Sequence, residues 1–248
     1  MNRKNVEDIY PLSPLQQGLL FHALYSPETG AYVEQWPMLA DGELDVEAHA
    51  RALQRTVDRH PILRTGLVWQ SVPQPLQVVF RQAELEVQRF DWSALAEAEW
   101  RARLDAFLEA DRTRGFDLSR GPLLRVTYAK VDGRRTLWIL TFHHVILDGW
   151  SAPLLFADVD AFHAAARAGR EPHLPPAPRY RDYVAWLQRR DAAADEAFWR
   201  RVLDGFATPT PLPLDRGGAV VAEEHASARR RLSAAQQRRL GEFAREVA

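Results

Sequence analysis

The 248-residue chain can bury a core of good size, as one large domain or two small ones, and its 46% hydrophobic and 26% charged residues are an ordinary globular balance. A formal net charge of -1 gives no electrostatic reason to expect nucleic acid or an acidic membrane surface as partner. The absence of cysteine excludes disulfides, thiolate metal sites and a cysteine nucleophile, and permits a reducing compartment.

In chain order, Met1 to Asp8 has no apolar core of the signal-peptide kind, and no apolar run is long enough to span a bilayer, so a soluble cytoplasmic protein is expected. Ser13-Pro14-Leu15-Gln16 starts a helix to about Leu24, with serine as N-cap, proline at the first position and glutamine completing a capping box. Ala31 to Leu39 reads as a strand before the Asp41-Gly42 turn. Asp45 caps a second helix with Val46, Ala50, Leu53 and Val57 on one stripe, ending near Arg59-His60 because Pro61 disfavours helix before it. Ile62 to Trp69, Leu76 to Phe80 and Leu85 to Phe90 read as strands, and Ser93 to Asp111 as a helix.

Leu123 to Val131 and Thr136 to Phe142 form a hairpin closed at Asp132-Gly133. After Gly149-Trp150-Ser151, the stripe Leu154, Leu155, Val159 and Phe162 predicts a helix to about Ala168. A proline-rich connector at 172–178 precedes helices through Tyr183 and Trp186 and around Phe198, Trp199 and Leu203. Thr208 to Gly218 is a second loop rich in proline and glycine, but neither loop divides regions of different composition. Ser233 to Gln236 opens a last helix whose stripe, Leu240, Phe243, Ala244 and Val247, reaches the end without a C-cap, which implies a fragment or half of a larger unit. The arginines at 229–231 and 238–239 read as solvated faces.

Chemistry concentrates where the apolar strand Leu137 to Phe142 runs into His143-His144-Val145-Ile146-Leu147-Asp148-Gly149. Strand alternation points the two histidines in opposite directions, so one serves a cavity and the other is structural. A neutral imidazole is the commonest general base and can also hold an amine by a hydrogen bond. Asp148 could orient the ring, while Gly149 argues for a sharp turn whose peptide N–H faces a carbonyl oxygen. Taken alone, histidine after a strand is more often structural than catalytic. A metal site is disfavoured, because adjacent strand histidines rarely converge on one ion. No G-x-S-x-G elbow, cysteine or phosphate loop suggests a covalent intermediate or nucleotide, so any chemistry is direct transfer between bound substrates.

The segment His143 to Gly149 resembles the HHxxxDG signature of the condensation domains of nonribosomal peptide synthetases. Leu12 to His22 is similar to that family's first motif, Arg59-His60-Pro61-Ile62-Leu63-Arg64-Thr65 to its second, RHxxLRT, and Tyr180 to Trp186 to its fourth. The motifs of the family's C-terminal lobe are absent. The resemblance implies an α/β fold, an α+β two-layer sandwich: the N-terminal lobe of a chloramphenicol-acetyltransferase-like pair, a mixed sheet with helices packed mainly on one side, spanning 1–248.

It further implies amide bond formation between a donor thioester and an aminoacyl acceptor, each brought by a peptidyl carrier protein on a 4'-phosphopantetheine arm. No cofactor or metal is bound directly, and the remaining partners are a C-terminal lobe and an adenylation domain. His144 matches the catalytic histidine that positions or deprotonates the amine, and His143 the structural one. Asp148 matches an aspartate that shapes the loop through an ion pair with the arginine matching Arg64. Gly149 matches the position against the substrate arm. Without the resemblance Arg64 reads as a surface arginine, Ser13 and Gln16 as helix caps, and Tyr180, Asp182 and Trp186 as packing residues.

One alternative is an epimerization domain of the same superfamily, which uses the double histidine for proton abstraction; a cyclization domain is disfavoured, since it typically replaces the histidines by aspartates. A non-catalytic lobe or carrier-docking fragment is the other alternative, since one wall of the tunnel is missing.

Overall fold

In the computed structural model, which describes residues 3–208, 210 and 230–247, the turn at Asp132-Gly133 closes as its residues allow. The Asp132 carboxylate accepts the backbone N–H groups of Arg134 and Arg135 at 2.8 and 2.7 Å. Two units are formed, residues 1–191 and 192–248. The first contains β1 (Val6–Pro11), α1 (Pro14–Tyr25), β2 (Val33–Asp41), α2 (Val46–Arg59), β3 (Thr65–Val68), β4 (Leu76–Phe80) and β5 (Glu86–Asp91). It continues with α3 (Glu97–Arg114), β6 (Leu124–Lys130), β7 (Arg135–His143), α4 (Ala152–Arg167) and α5 (Tyr180–Gln188). The second contains α6 (Ala192–Val202) and α7 (Ala234–Glu246), and α7 opens on the expected capping box between Ser233 and Gln236. The loop expected from Thr208 to Gly218 lies almost wholly outside the described residues, as does Arg229.

The strands make a four-stranded mixed sheet in the order β2-β7-β6-β5, with β5 parallel to β6, and a separate three-stranded antiparallel sheet, β1-β4-β3. The mixed sheet agrees with the sequence expectation, whereas the second sheet is an addition to it. On the four-stranded sheet, Val126, Tyr128, Leu140 and Phe142 pack with Leu53 and Val57 of α2 and Leu155, Val159 and Phe162 of α4. The alternate residues Ala129, Val131, Leu137 and Ile139 pack with Trp100 and Leu104 of α3. Two helices therefore share one face and α3 covers the other. Large side chains such as Tyr128, Phe142 and Leu140 are fully buried, each contributing about 1.5–3 kcal/mol from the area removed from water.

Three local expectations shift. β1 has no period-2 apolar signal, because Glu7 and Asp8 stand side by side in it; it is recruited by β4, and Tyr10 is buried with Val79 and Val184. The strand expected from Ile62 begins only at Thr65, since Pro61–Arg64 is a 3₁₀ turn held by Leu63 N–H donating to the His60 carbonyl at 3.0 Å. The helix expected from Ser93 begins at Glu97: the Ser93 hydroxyl donates to Asp91 at 2.6 Å, and Glu99 instead reaches back to the Ala96 N–H at 2.8 Å.

The face under α3 carries one buried ion pair. Asp111 of α3 accepts Arg125 Nε of β6 at 2.7 Å, the Thr141 hydroxyl of β7 at 2.8 Å and Gln35 Nε2 of β2 at 3.0 Å. Arg125 also donates to the carbonyls of Gly115 and Asp111, both at 2.7 Å, and its guanidinium lies 4.2 Å from the Phe116 ring centre. Burial alone would raise the Asp111 carboxyl, but the hydrogen bonds from Arg125 and Thr141 and the Arg125 charge hold it below the ordinary carboxylate value. Both side chains are 3% exposed, so Arg125→Met leaves Asp111 charged without its cation and is expected to cost about 3–5 kcal/mol, read as a lowered urea midpoint. An unchanged midpoint contradicts this assignment.

Candidate functional site

β7 delivers the two histidines to the edge of the hairpin. The His143 N–H donates to the Leu123 carbonyl at 2.9 Å, and pairing with β2 ends at Val33. The chain then turns: the His144 N–H donates to the Tyr32 carbonyl at 2.8 Å, and the Ile146 N–H to the His143 carbonyl at 3.2 Å. Tyr32 can present that carbonyl because the approach to β2 is bent through the left-handed region, with φ of 61° at Gly30 and 65° at Tyr32. A Cβ at Gly30 would lie 2.9 Å from the Arg112 carbonyl oxygen, so glycine is needed there for space as well as for conformation.

The two imidazoles part where β7 ends, His143 being the last residue of the strand and His144 the first of the turn. His143 is buried, and its Nδ1 accepts the Val145 N–H at 3.1 Å, which assigns the proton of the neutral ring to Nε2. Burial, and secondarily the neighbouring His144, pushes the His143 pKa down to about 4. His144 is half-buried and lies in the wall of an open cleft of about 490 Å³. Leu15 and Leu19 of α1, Ile62 of the 3₁₀ turn, Leu154 of α4 and Tyr183 of α5 make the other walls largely apolar, with Arg179 as the cationic side chain.

Asp148 also lines the cleft but is exposed, and its role differs from the one the resemblance implied. Its carboxylate accepts the Ser151 N–H at 2.7 Å at the start of α4. Hydrogen bonding from Ser151 leads the causes that hold its pKa below the ordinary value, with smaller contributions from the His144 charge and the Trp150 N–H. The turn amides are thus directed at Asp148 itself rather than at an incoming carbonyl.

Arg64 does not meet Asp148. Its Nη1 donates to Glu7 of β1 at 2.8 Å and to the carbonyls of Phe80 and Arg81, because Arg64 closes the 3₁₀ turn and its side chain enters the β1–β4 edge. With a side chain only 7% exposed, it is not the surface arginine that the bare sequence suggests either. Gly149 has no steric reason within this chain: an added Cβ meets nothing within 4 Å.

The other motif residues converge from a distance. The Tyr180 hydroxyl of α5 donates to Ser13 Oγ at 3.1 Å, and Ser13 in turn accepts the Gln16 N–H at 3.2 Å. Gln16 is the expected cap, its Oε1 accepting the Ser13 N–H at 3.0 Å, but its Nε2 also donates to the Val145 carbonyl at 3.0 Å. His60, unassigned from sequence, lines the cleft with Nε2 2.6 Å from Asp158 of α4. Asp182 and Trp186 lie on α5 outside the cleft, with Trp186 stacked on Tyr183 at 5.8 Å. Tyr32 and Asp158 carry no motif signal, since each acts across the fold.

Two expectations test this geometry. Asp148→Ala removes the acceptor at the start of α4 and is expected to lower stability by about 1 kcal/mol, while Asp148→Asn retains an oxygen acceptor and stays closer to wild type; chemical denaturation of both variants checks the order. The second concerns pH. His49 of α2, whose Nδ1 lies 2.6 Å from the Tyr128 hydroxyl, is also held at about 4, by burial and then by His163. For His49 and His143 the unfolded chain takes up a proton near pH 6.5 and the folded chain only near 4, so stability falls as pH drops through that window, by up to about 3 kcal/mol per ring. Urea midpoints from pH 7 to pH 4 are expected to decline, with a shallower decline in His49→Leu; equal slopes would exclude the His49 contribution.

A family model described as Condensation domain matches residues 6–247. A linear gramicidin synthase of Brevibacillus parabrevis is 44% identical over 213 residues, covering 86% of this chain and 4% of that protein. Surfactin synthase subunit 3 of Bacillus subtilis (strain 168) is 33% identical over 209 residues, covering 84% of this chain and 16% of that protein. Among solved structures, the starter condensation domain of rhizomide synthetase superposes with a TM-score of 0.69 at 23% identity, over 79% of this chain and 50% of that one. The first condensation domain of the calcium-dependent antibiotic synthetase, in complex with substrate analogue 2a, gives a TM-score of 0.68 at 22% identity, over 79% of this chain and 48% of that one. The chain therefore spans about half of these solved domains and a small part of the synthases.

Proposed function

Because the chain belongs to the condensation-domain family of nonribosomal peptide synthetases, we propose that residues 1–248 are the N-terminal lobe of such a domain and contribute its histidine to amide bond formation. The single observation that carries this reading is His144, half-buried in the wall of an open cleft while His143 is turned into the protein. The acceptor amine of an aminoacyl thioester attacks the carbonyl of a donor thioester. A C–N bond forms, the C–S bond breaks, and the amine proton leaves with the thiol. His144 can accept a hydrogen bond from the amine and either orient its lone pair or take the proton as it attacks.

Both substrates arrive on 4'-phosphopantetheine arms of donor and acceptor peptidyl carrier proteins, in a cytoplasmic synthetase that also supplies an adenylation domain. The open space beside Gly149 supports the approach of an arm there, and the largely apolar cleft suits an uncharged acyl or side-chain group. Among the described residues no helix is long and apolar enough to cross a membrane. The cleft that His144 lines is open, so the lobe alone does not exclude water from a tethered pair, and it is inactive until a C-terminal lobe closes the tunnel.

In a polypeptide carrying both lobes, with donor and acceptor carrier proteins loaded, tethered amide formation is expected to fall by about 10²–10⁴ in His144→Ala, and the 1–248 chain alone is expected to make no amide above background. Mass spectrometry of the carrier-bound product reads both. Turnover by the isolated chain, or an undiminished rate in His144→Ala, would overturn the proposal. Proton exchange at the donor α-carbon without amide formation would assign the lobe to epimerization instead.

A further inference from the structure

Gln16 is 3% exposed and springs from the first turn of α1, yet its amide does more than close a helix cap. It forms a reciprocal pair with Gln77 of β4: Gln16 Nε2 donates to Gln77 Oε1 at 3.1 Å, and Gln77 Nε2 donates to Gln16 Oε1 at 2.8 Å. The second Gln77 N–H goes to the Pro11 carbonyl at 3.1 Å, and the second Gln16 N–H to the Val145 carbonyl at 3.0 Å. With the Ser13 N–H requiring an acceptor at Oε1, the amide has one orientation whatever stands at Gln77, and that orientation presents a donor to the residue after His144.

The backbone around His144 is consequently tied at three groups. Its own N–H is on Tyr32, the Val145 N–H is on His143 Nδ1, and the Val145 carbonyl is on Gln16. We infer that Gln16 is a positioning residue for His144, its side-chain amide holding the 144–145 backbone so that the imidazole is aimed into the cleft. The inference rests on the amide-forming reading of His144 and extends it to a residue of the same cleft that acts through the 144–145 backbone. The Gln77 half of the pair is the control. Both glutamines link α1 to the three-stranded sheet, but only Gln16 reaches the histidine turn.

The test compares Gln16→Met with Gln77→Leu in the two-lobed polypeptide and in this chain. Gln16→Met is expected to lower kcat by about 10²-fold with KM within about threefold, and to move the midpoint of the pH–rate profile, because the misplaced base is set in a new environment. Gln77→Leu is expected to lower the melting temperature comparably while keeping kcat within about threefold. Should Gln16→Met fail to fold, Gln16→Glu replaces it: it keeps an acceptor for Ser13 and Gln77 at the same length and loses the donor to Val145.

A second measurement does not depend on turnover. In this chain, the ring Cε1–H signal of His144, assigned by its loss in His144→Ala, is expected to shift in position and titration midpoint in the Gln16 variant and to stay near wild type in Gln77→Leu. Equal kcat losses in the two variants, or a His144 signal unmoved by the Gln16 substitution, would overturn the inference. If the wild-type two-lobed protein makes no amide, the amide-forming reading fails, and the His144 signal alone still decides for or against positioning.

Discussion

The carboxylate of Asp111 is the fixed point of the first unit. It reaches from α3 to β2, β6 and β7 at once, and the strand it grips through Thr141 is the one that ends in His143. A buried ion pair is weak support for stability in general, since apolar replacement of both partners is often tolerated. Here its geometric demand matters more. Arg125 spends its donors on Asp111 and on the carbonyls that terminate α3, so helix, sheet and register are specified together. A slip of β7 by one residue would present Leu140 and Phe142 to Asp111 and exchange the faces of His143 and His144.

From that anchor the histidine turn is built out of contacts distant in sequence. Tyr32, Leu123 and Gln16 belong to different segments of the chain, and each supplies one hydrogen bond to the stretch 143–145. His143 contributes as an acceptor, which it can do only while Nδ1 is unprotonated. Burial makes that state the stable one throughout the neutral range. The residue is thus structural in a specific sense: its neutrality shapes the turn that exposes its neighbour.

Local signals were readable in the sequence wherever a few adjacent residues decide the outcome. The box at Ser13 and Gln16, the cap at Asp45, the Asp132-Gly133 hairpin and the α4 stripe of Leu155, Val159 and Phe162 formed as their chemistry directs, whereas Leu154 of that stripe is exposed. The opposed histidines were expected from the period of a strand, whereas β7 ends at His143 and the turn that begins at His144 sets them apart. Features set by a partner far along the chain were not readable. β1 is a strand because β4 is beside it, Arg64 serves Glu7 because the 3₁₀ turn redirects it, and Gln16 satisfies its own helix with one atom while its other atom serves Val145. Asp148 shows the same limit: its spacing from His144 suggested a partnership, but its carboxylate accepts the Ser151 N–H of the turn that starts a helix.

The hydrogen bonds that tie the backbone at His144 are all made by residues of the first unit, which bears on how a two-lobed domain would divide its work. On the reading proposed above, alignment of the imidazole is complete before a second lobe is present, so that lobe need not shape the base. What remains for it is to close the cleft, exclude water and hold the substrate arms near Gly149, where this chain leaves room. On that proposal, rigid placement of a base by one half and enclosure by the other would let the tunnel open for tethered substrates without disturbing the group that acts on them. Motion would then fall at the boundary between halves, where hydrogen bonds from Tyr32, Gln16 and His143 do not reach.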